Sequence, residues 1–303
     1  MTSSERTRNL SVPSDRVDVV LDTDAFNDVD GRYAISYLLR SSDKLNTKAI
    51  YAALYTKRYM RDSERGMENS YKEIKKMLSR LGESCLVYRG ANEYLSDEYT
   101  PVVSDAACDI ATRVFEYSPE NPLYILASGA ITNVASAILL NPKVAENAVV
   151  VWLGGCAPDF SLNREFNLMQ DIAAARVVLS SGVPLVQLPC EGVVSDFTIS
   201  RQELEALLVG KSEISDYLAR ITVKEMEKYR TNETNLSTLG GVAAVAWLLN
   251  DGDRFMLSRI IKASIPTYKR TCSENPGGVD TRCVYQINKD AILSDLVKKL
   301  TEK

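Results

Sequence analysis

The chain has 303 residues, 45% of them hydrophobic and 25% charged, a composition that suits a buried core and excludes a disordered polymer. Net charge is −4, from 36 basic and 40 acidic side chains, so there is no basic excess to neutralise a phosphate backbone and no nucleic-acid partner is expected. Histidine is absent, which removes Ser-His-Asp and Cys-His catalysis, His-ligated zinc and every imidazole acid or base.

The N-terminus, MTSSERTRNLSVPSD, is polar and lacks the apolar centre of a signal peptide, and residues 1–16 are expected to be flexible. Val17 to Leu21 reads as a strand of β-branched residues ending in acidic ones, and Arg32 to Leu39 carries apolar residues at helical spacing. Ala49 to Leu54 is the next strand, and Gly66 to Leu81 a helix with Met67, Tyr71, Ile74 and Leu78 on one face. Leu123 to Ala127 is a strand, followed by Gly129 and a helix from Ile131 to Leu140 that Asn141-Pro142 closes. Ala148 to Leu153 runs into Gly154-Gly155. A helix over Asp171 to Ser180 precedes a strand over Pro184 to Leu188, and the charged segment Arg201 to Tyr229 is expected as helix at the rim. Strands that are apolar on both faces, alternating with helices, predict an α/β fold: an open, mainly parallel central sheet flanked by helices. No linker or repeat interrupts it, so residues 1–303 are read as a single domain. The longest apolar run, Ala243 to Leu249, is far too short for a membrane span. The six cysteines have no CxxC pair and read as buried thiols of a reducing compartment, with no bridge expected even between Cys272 and Cys283; the cytoplasm is the expected location.

Ligands of such folds bind beyond the carboxyl ends of the strands, so the loops there carry the functional reading. After the first strand come Asp22, Asp24, Asp28 and Asp30, four carboxylates within nine residues. Like charges so crowded call for a cation or a hydroxyl-rich ligand. A solvated turn with helix-capping aspartates explains them equally well. The second loop, Ser128 to Asn133, has a glycine that permits close backbone approach, or is a plain helix start. The third follows Gly154-Gly155 and contains Glu165 and Asn167, two apart; an extended segment would point both to one face, toward sugar hydroxyls.

Taken together, LDTDAFNDVDGRYAISYLL, GMENSYKEI, ASGAITNVASAI, VWLGG, EFNLMQDIAAARVVLSSGVPL, LPCEGVV, VAAVAWLL and INKDAILSDLVKKL resemble, in order, the inosine-uridine-preferring nucleoside hydrolases. The opening is most similar to a subgroup with a longer aspartate loop, usually Asn-Glu-x-Asp-Asp. The resemblance implies hydrolysis of the N-glycosidic bond of ribonucleosides, with calcium as cofactor holding the ribose diol and the attacking water. It also implies a homodimer or homotetramer whose partner is a small-molecule ribonucleoside. By the same resemblance Asp24 is the general base and a metal ligand, and Asp22 its supporting neighbour. Asp30 holds a ribose hydroxyl, the Thr132 carbonyl ligates the metal, and Asn27, Glu165 and Asn167 bind substrate.

Three departures stand out. The second aspartate of the pair falls on Gly31, and the late metal-binding aspartate on Gly241; Gly240 takes the place of a residue tied to leaving-group handling. Asp28 and Asp30 are the candidate substitute ligands. Glycine leaves space, so Gly31→Asp with Gly241→Asp is expected to fit without a clash. Three functions compete: a ribonucleoside hydrolase with a rearranged metal site, a non-catalytic relative that binds a nucleoside or ribosylated ligand without calcium as sensor or partner subunit, and a metal-independent hydrolase of another N-riboside.

Overall fold

The computed structural model describes residues 2–57, 60–228, 236–273, 275 and 277–302. The strands are β1 (Val17–Thr23), β2 (Leu45–Ala52), β3 (Leu86–Arg89), β4 (Leu123–Ser128), β5 (Ala148–Leu153), β6 (Leu185–Leu188), β7 (Thr198–Ser200), β8 (Leu236–Thr238), β9 (Met256–Lys262), β10 (Ile265–Pro266), β11 (Cys272–Ser273) and β12 (Asp280–Ile287). Eight of them form one sheet in the order β3-β2-β1-β4-β5-β6-β12-β9. Every neighbouring pair is parallel except β12 and β9. The chain winds outward from β1 in one direction to β3 and in the other from β4, so the order reverses between β1 and β4. That switch point opens a crevice at the carboxyl ends of these two strands.

Helices α1 (Ser3–Asn9), α2 (Asp30–Leu39), α3 (Ser63–Leu81), α4 (Asp105–Arg113), α5 (Thr132–Leu140), α6 (Val144–Asn147), α7 (Phe166–Gln170), α8 (Ile172–Ser180), α9 (Arg201–Leu208), α10 (Glu213–Lys228), α11 (Gly240–Leu248) and α12 (Lys289–Thr301) complete the fold. Alternation along β1 feeds two cores: Val19 and Leu21 pack with residues of α2, α3, α11 and α12, while Val20 packs with those of α4, α5 and α8. Helix α11, GGVAAVAWL, is buried along its whole length. Its apolar composition on all sides suits an interior helix, and its N-terminus arrives beside that of α2.

Four details differ from expectation. Residues 3–9 form a helix that the sequence reading did not include: Thr2 and Glu5 form its capping box, and the Arg6 guanidinium donates to the carbonyls of Gly182 and Asp280, the latter at 2.7 Å. The stretch from Arg201 breaks into α9 and α10 around Gly210, whose φ of 74° is left-handed; Tyr229 lies outside the described residues. β2 starts earlier than read, because its polar opening Asn46-Thr47-Lys48 masks the strand. All six cysteines are free thiols, but only Cys156 and Cys283 are buried; Cys108 lies on the exposed face of amphipathic α4. No described helix is long and apolar enough to cross a membrane.

Candidate active site

The loop after β1 and the loop after β4 meet because their strands are paired, Thr23 opposite Ser128, and the Ser128 hydroxyl donates to Thr23 Oγ1 at 3.0 Å. Asp24 emerges there, only 6% exposed, with Oδ2 unpartnered. A Cβ on Gly129 would lie 3.3 Å from the Asp24 carboxyl carbon, so the small residue lets the second loop run against this side chain. Around Asp24 is a cleft of about 410 Å³, lined also by Asn27, Asp28, Asp30, Glu165 and Asn167. Asn27 Oδ1 is a second buried acceptor with no partner. A larger hollow of about 720 Å³ near Lys76 and Arg80 contains none of these residues.

Asp22 and Thr132 do not line the cleft. Asp22 is buried behind it, where Asn133 Nδ2 donates to Oδ1 at 2.8 Å, and the Thr132 hydroxyl donates to Asp171 at 2.7 Å at the start of α5. The carboxylates that do reach the cleft are occupied in unforeseen ways. Asp30 accepts the Gly31 N–H at 2.9 Å and the Gly241 N–H at 2.7 Å. Asp28 takes the Lys57 ammonium at 3.0 Å. Glu165 has extended backbone angles but is the N-cap of α7, with Asn167 already in the helix, and it accepts the N–H groups of Gly155, Asn167 and Leu168 at 2.7–2.9 Å. Asn167 Nδ2 donates to the Leu153 carbonyl at 2.9 Å, which fixes the amide in the cleft wall.

Crowding and burial raise the acids together. Burial, then Asp30 and Asp28, hold Asp24 well above the carboxylate range. Burial and Asp28 lift Asp30 to about 6 against two N–H donors, and burial lifts Glu165 to about 7 against three. Burial takes Asp22 to about 7, with the Asn133 bond opposing. Half-buried Glu225, from the last turns of α10, lines the same cleft and is pushed to about 7 by burial and then Asp28. Sequence reasoning missed Glu225, Met226, Cys190, Glu191 and the β8 residues that line the cleft. They have no motif; LPCEGVV alone marked the stretch of Cys190 and Glu191. Burial, then Glu165 and Asp30, raise the Cys190 thiol and favour its protonated form.

Calcium takes about six to eight oxygens, several of them charged. The residues here do not fit it: among the described residues no group of three Asp, Glu, His or Cys side chains is placed to hold a metal. A Cβ at Gly31 would lie 2.9 Å from Ala25 Cα and 3.0 Å from Thr23 Oγ1, and one at Gly241 would lie 3.2 Å from Asp30 Oδ2. The space expected at the two glycines is filled by neighbouring backbone and by Asp30.

An open parallel α/β fold with an acid-lined cleft at its switch point defines the class, one that receives small ligands at the carboxyl edge of the sheet. The chain belongs to the inosine-uridine preferring nucleoside hydrolase family, whose pattern matches residues 19–292. It is 26% identical over 148 residues to the pyrimidine-specific ribonucleoside hydrolase RihA of Citrobacter koseri; the match spans about half the length of that relative, 47% of each chain. Among solved structures, a plant nucleoside hydrolase superposes with a TM-score of 0.75 at 18% identity, covering 95% of this chain and 99% of the other. The purine-preferring ribonucleoside hydrolase from Gardnerella vaginalis gives 0.74 at 17%, covering 94% and 98%. The type III effector protein XopQ complexed with adenosine diphosphate ribose gives 0.68 at 16%, covering all of both chains. At these identities the superpositions speak for the fold.

Proposed function

We propose that the cleft binds the ribosyl group of a ribonucleoside and hydrolyses its N-glycosidic bond without calcium. The observation that carries this reading is Asp24 Oδ2, a buried and unpartnered carboxylate oxygen on a residue that lines the cleft of a nucleoside hydrolase fold. Both orphaned oxygens there, on Asp24 and Asn27, are acceptors, so they suit a ligand with hydroxyl donors. Departure of the base leaves an oxocarbenium-like sugar, and the surrounding carboxylates stabilise its positive charge. As that charge develops, the ionised form of Asp24 becomes favourable and takes the proton of the attacking water. Asp30 and Glu165, fixed by backbone N–H donors, and Asn167, held by Leu153, keep the wall rigid around the sugar.

Release of ribose from inosine or uridine, followed by chromatography with and without a chelator, tests the proposal. Turnover that persists in chelator and disappears in Asp24→Asn supports it; turnover that requires added calcium overturns the metal-free mechanism. A second reading is favoured by Gly31 and Gly241 and by the likeness to XopQ in its ADP-ribose complex: the cleft holds a ribosylated ligand without turnover. Calorimetric binding with no ribose release distinguishes it. A cytoplasmic setting accords with six free thiols, and a homodimer or homotetramer is the assembly we propose.

A further inference from the structure

Among the described residues lining the cleft are six acids, Asp24, Asp28, Asp30, Glu165, Glu191 and Glu225, and no lysine or arginine. Two described cations at the margin are engaged: Lys57 on Asp28 and Asn27, and Arg32 on Glu73 at 2.8 Å. Asp24 Oδ2 and Asn27 Oδ1, both buried beyond nine-tenths, remain as acceptors without donors. The rest of the lining includes apolar Leu153, Phe166, Met226 and Leu236, and Phe166 is 41% exposed. A flat, positively charged ring satisfies both halves of this surface, the aromatic face and the acids. The chemistry of departure points the same way. A neutral ribonucleoside needs its base protonated as it leaves, whereas a quaternised base leaves neutral with no proton to receive.

We infer that the preferred substrate is an N-riboside of a quaternised heteroaromatic base, and that ribosides carrying a phosphate are disfavoured. Resting on the function proposed above, this names its substrate class. In the step, water oxygen bonds to C1′ and the C1′–N bond breaks. Its electron pair returns to the ring nitrogen, which departs neutral without an acid, and the water proton passes to Asp24. The acids that attract the cation are the same groups that stabilise the sugar charge.

The experiment compares nicotinamide riboside, its 5′-phosphate and uridine with the intact chain, each as kcat/KM after subtraction of spontaneous hydrolysis under the same conditions. The cationic riboside should exceed uridine by roughly 100-fold or more, the size of a general-acid contribution that its departure does not require. Its advantage should shrink as salt is raised, and the 5′-phosphate should lose at least about 10-fold, since like charges repel. Equal or greater enhancement for uridine, or equal turnover of the phosphorylated form, overturns this inference and leaves the ribosyl hydrolase reading standing. Absence of both hydrolysis and binding for all three overturns that reading, and the inference with it.

Discussion

The backbone N–H of Gly241 donates to Asp30 Oδ2 at 2.7 Å, and this bond ties the first turn of α11 to the first turn of α2. Helix N-termini carry partial positive charge, so a carboxylate shared between two of them is favoured where it stands. In this chain Asp30 is a clamp. Gly241, which by resemblance stands where the family has a metal-binding aspartate, donates to a neighbouring carboxylate, so hydrogen bonds close this region.

Asp30→Asn should therefore weaken the fold. An amide keeps one acceptor but turns its NH2 toward the second N–H, leaving donors unsatisfied. A loss of about 1–3 kcal/mol is expected in urea denaturation. Unchanged stability would mean that the two helix starts are held by packing alone.

Restoring the family's aspartates should not restore a metal site. Gly31→Ala and Gly31→Asp should fall in stability alike, by about 1–3 kcal/mol, because the first added carbon already meets Ala25 Cα. Gly241→Asp brings a second carboxylate against Asp30, which repels it. Titration calorimetry should show no stoichiometric calcium binding to the parent or to either variant. Tight binding by the double variant, with its melting temperature intact, would contradict this.

Stability should depend on pH through Asp22, and the sign follows from its pKa of about 7 when folded. Between the ordinary carboxylate range and pH 7 the folded state keeps a proton that the unfolded state has lost. Stability thus declines as pH rises through that window. Asp22→Asn keeps an acceptor for Asn133 and removes the share of the decline that Asp22 contributes. It should melt above the parent at pH 8 and close to it at pH 4. Parallel curves of melting temperature against pH would refute the assignment.

Activity should have the opposite slope. A general base works ionised, and Asp24 is held well above the carboxylate range by burial and by Asp30 and Asp28. We expect kcat/KM to climb through the neutral region, whereas an ordinary aspartate would be fully active by about pH 5. Asp24→Asn should lower kcat by roughly 100- to 10,000-fold while the melting temperature does not fall, since removing a buried raised-pKa acid cannot destabilise by linkage above neutral pH. A flat profile between pH 5 and 8 would assign the proton transfer elsewhere.

The sequence by itself determined what neighbours along the chain can determine. β-Branched runs such as VDVVL, the helical period of Met67, Tyr71, Ile74 and Leu78, and the order of strand and helix all act over one or two turns, and they specified the α/β sheet. The aspartate loop was legible too, because the end of a parallel strand is where ligands bind. Which of its carboxylates stay available was decided by tertiary structure. Asp24 keeps a bare oxygen because β4 delivers Gly129 beside it, while Asp30 and Glu165 are taken up by N–H groups of Gly241 and Gly155. Glu225 enters the cleft only because α10 folds back over it from another part of the chain. Donors, acceptors and free space at one point come from segments as far as 211 residues apart, and no local pattern records their meeting.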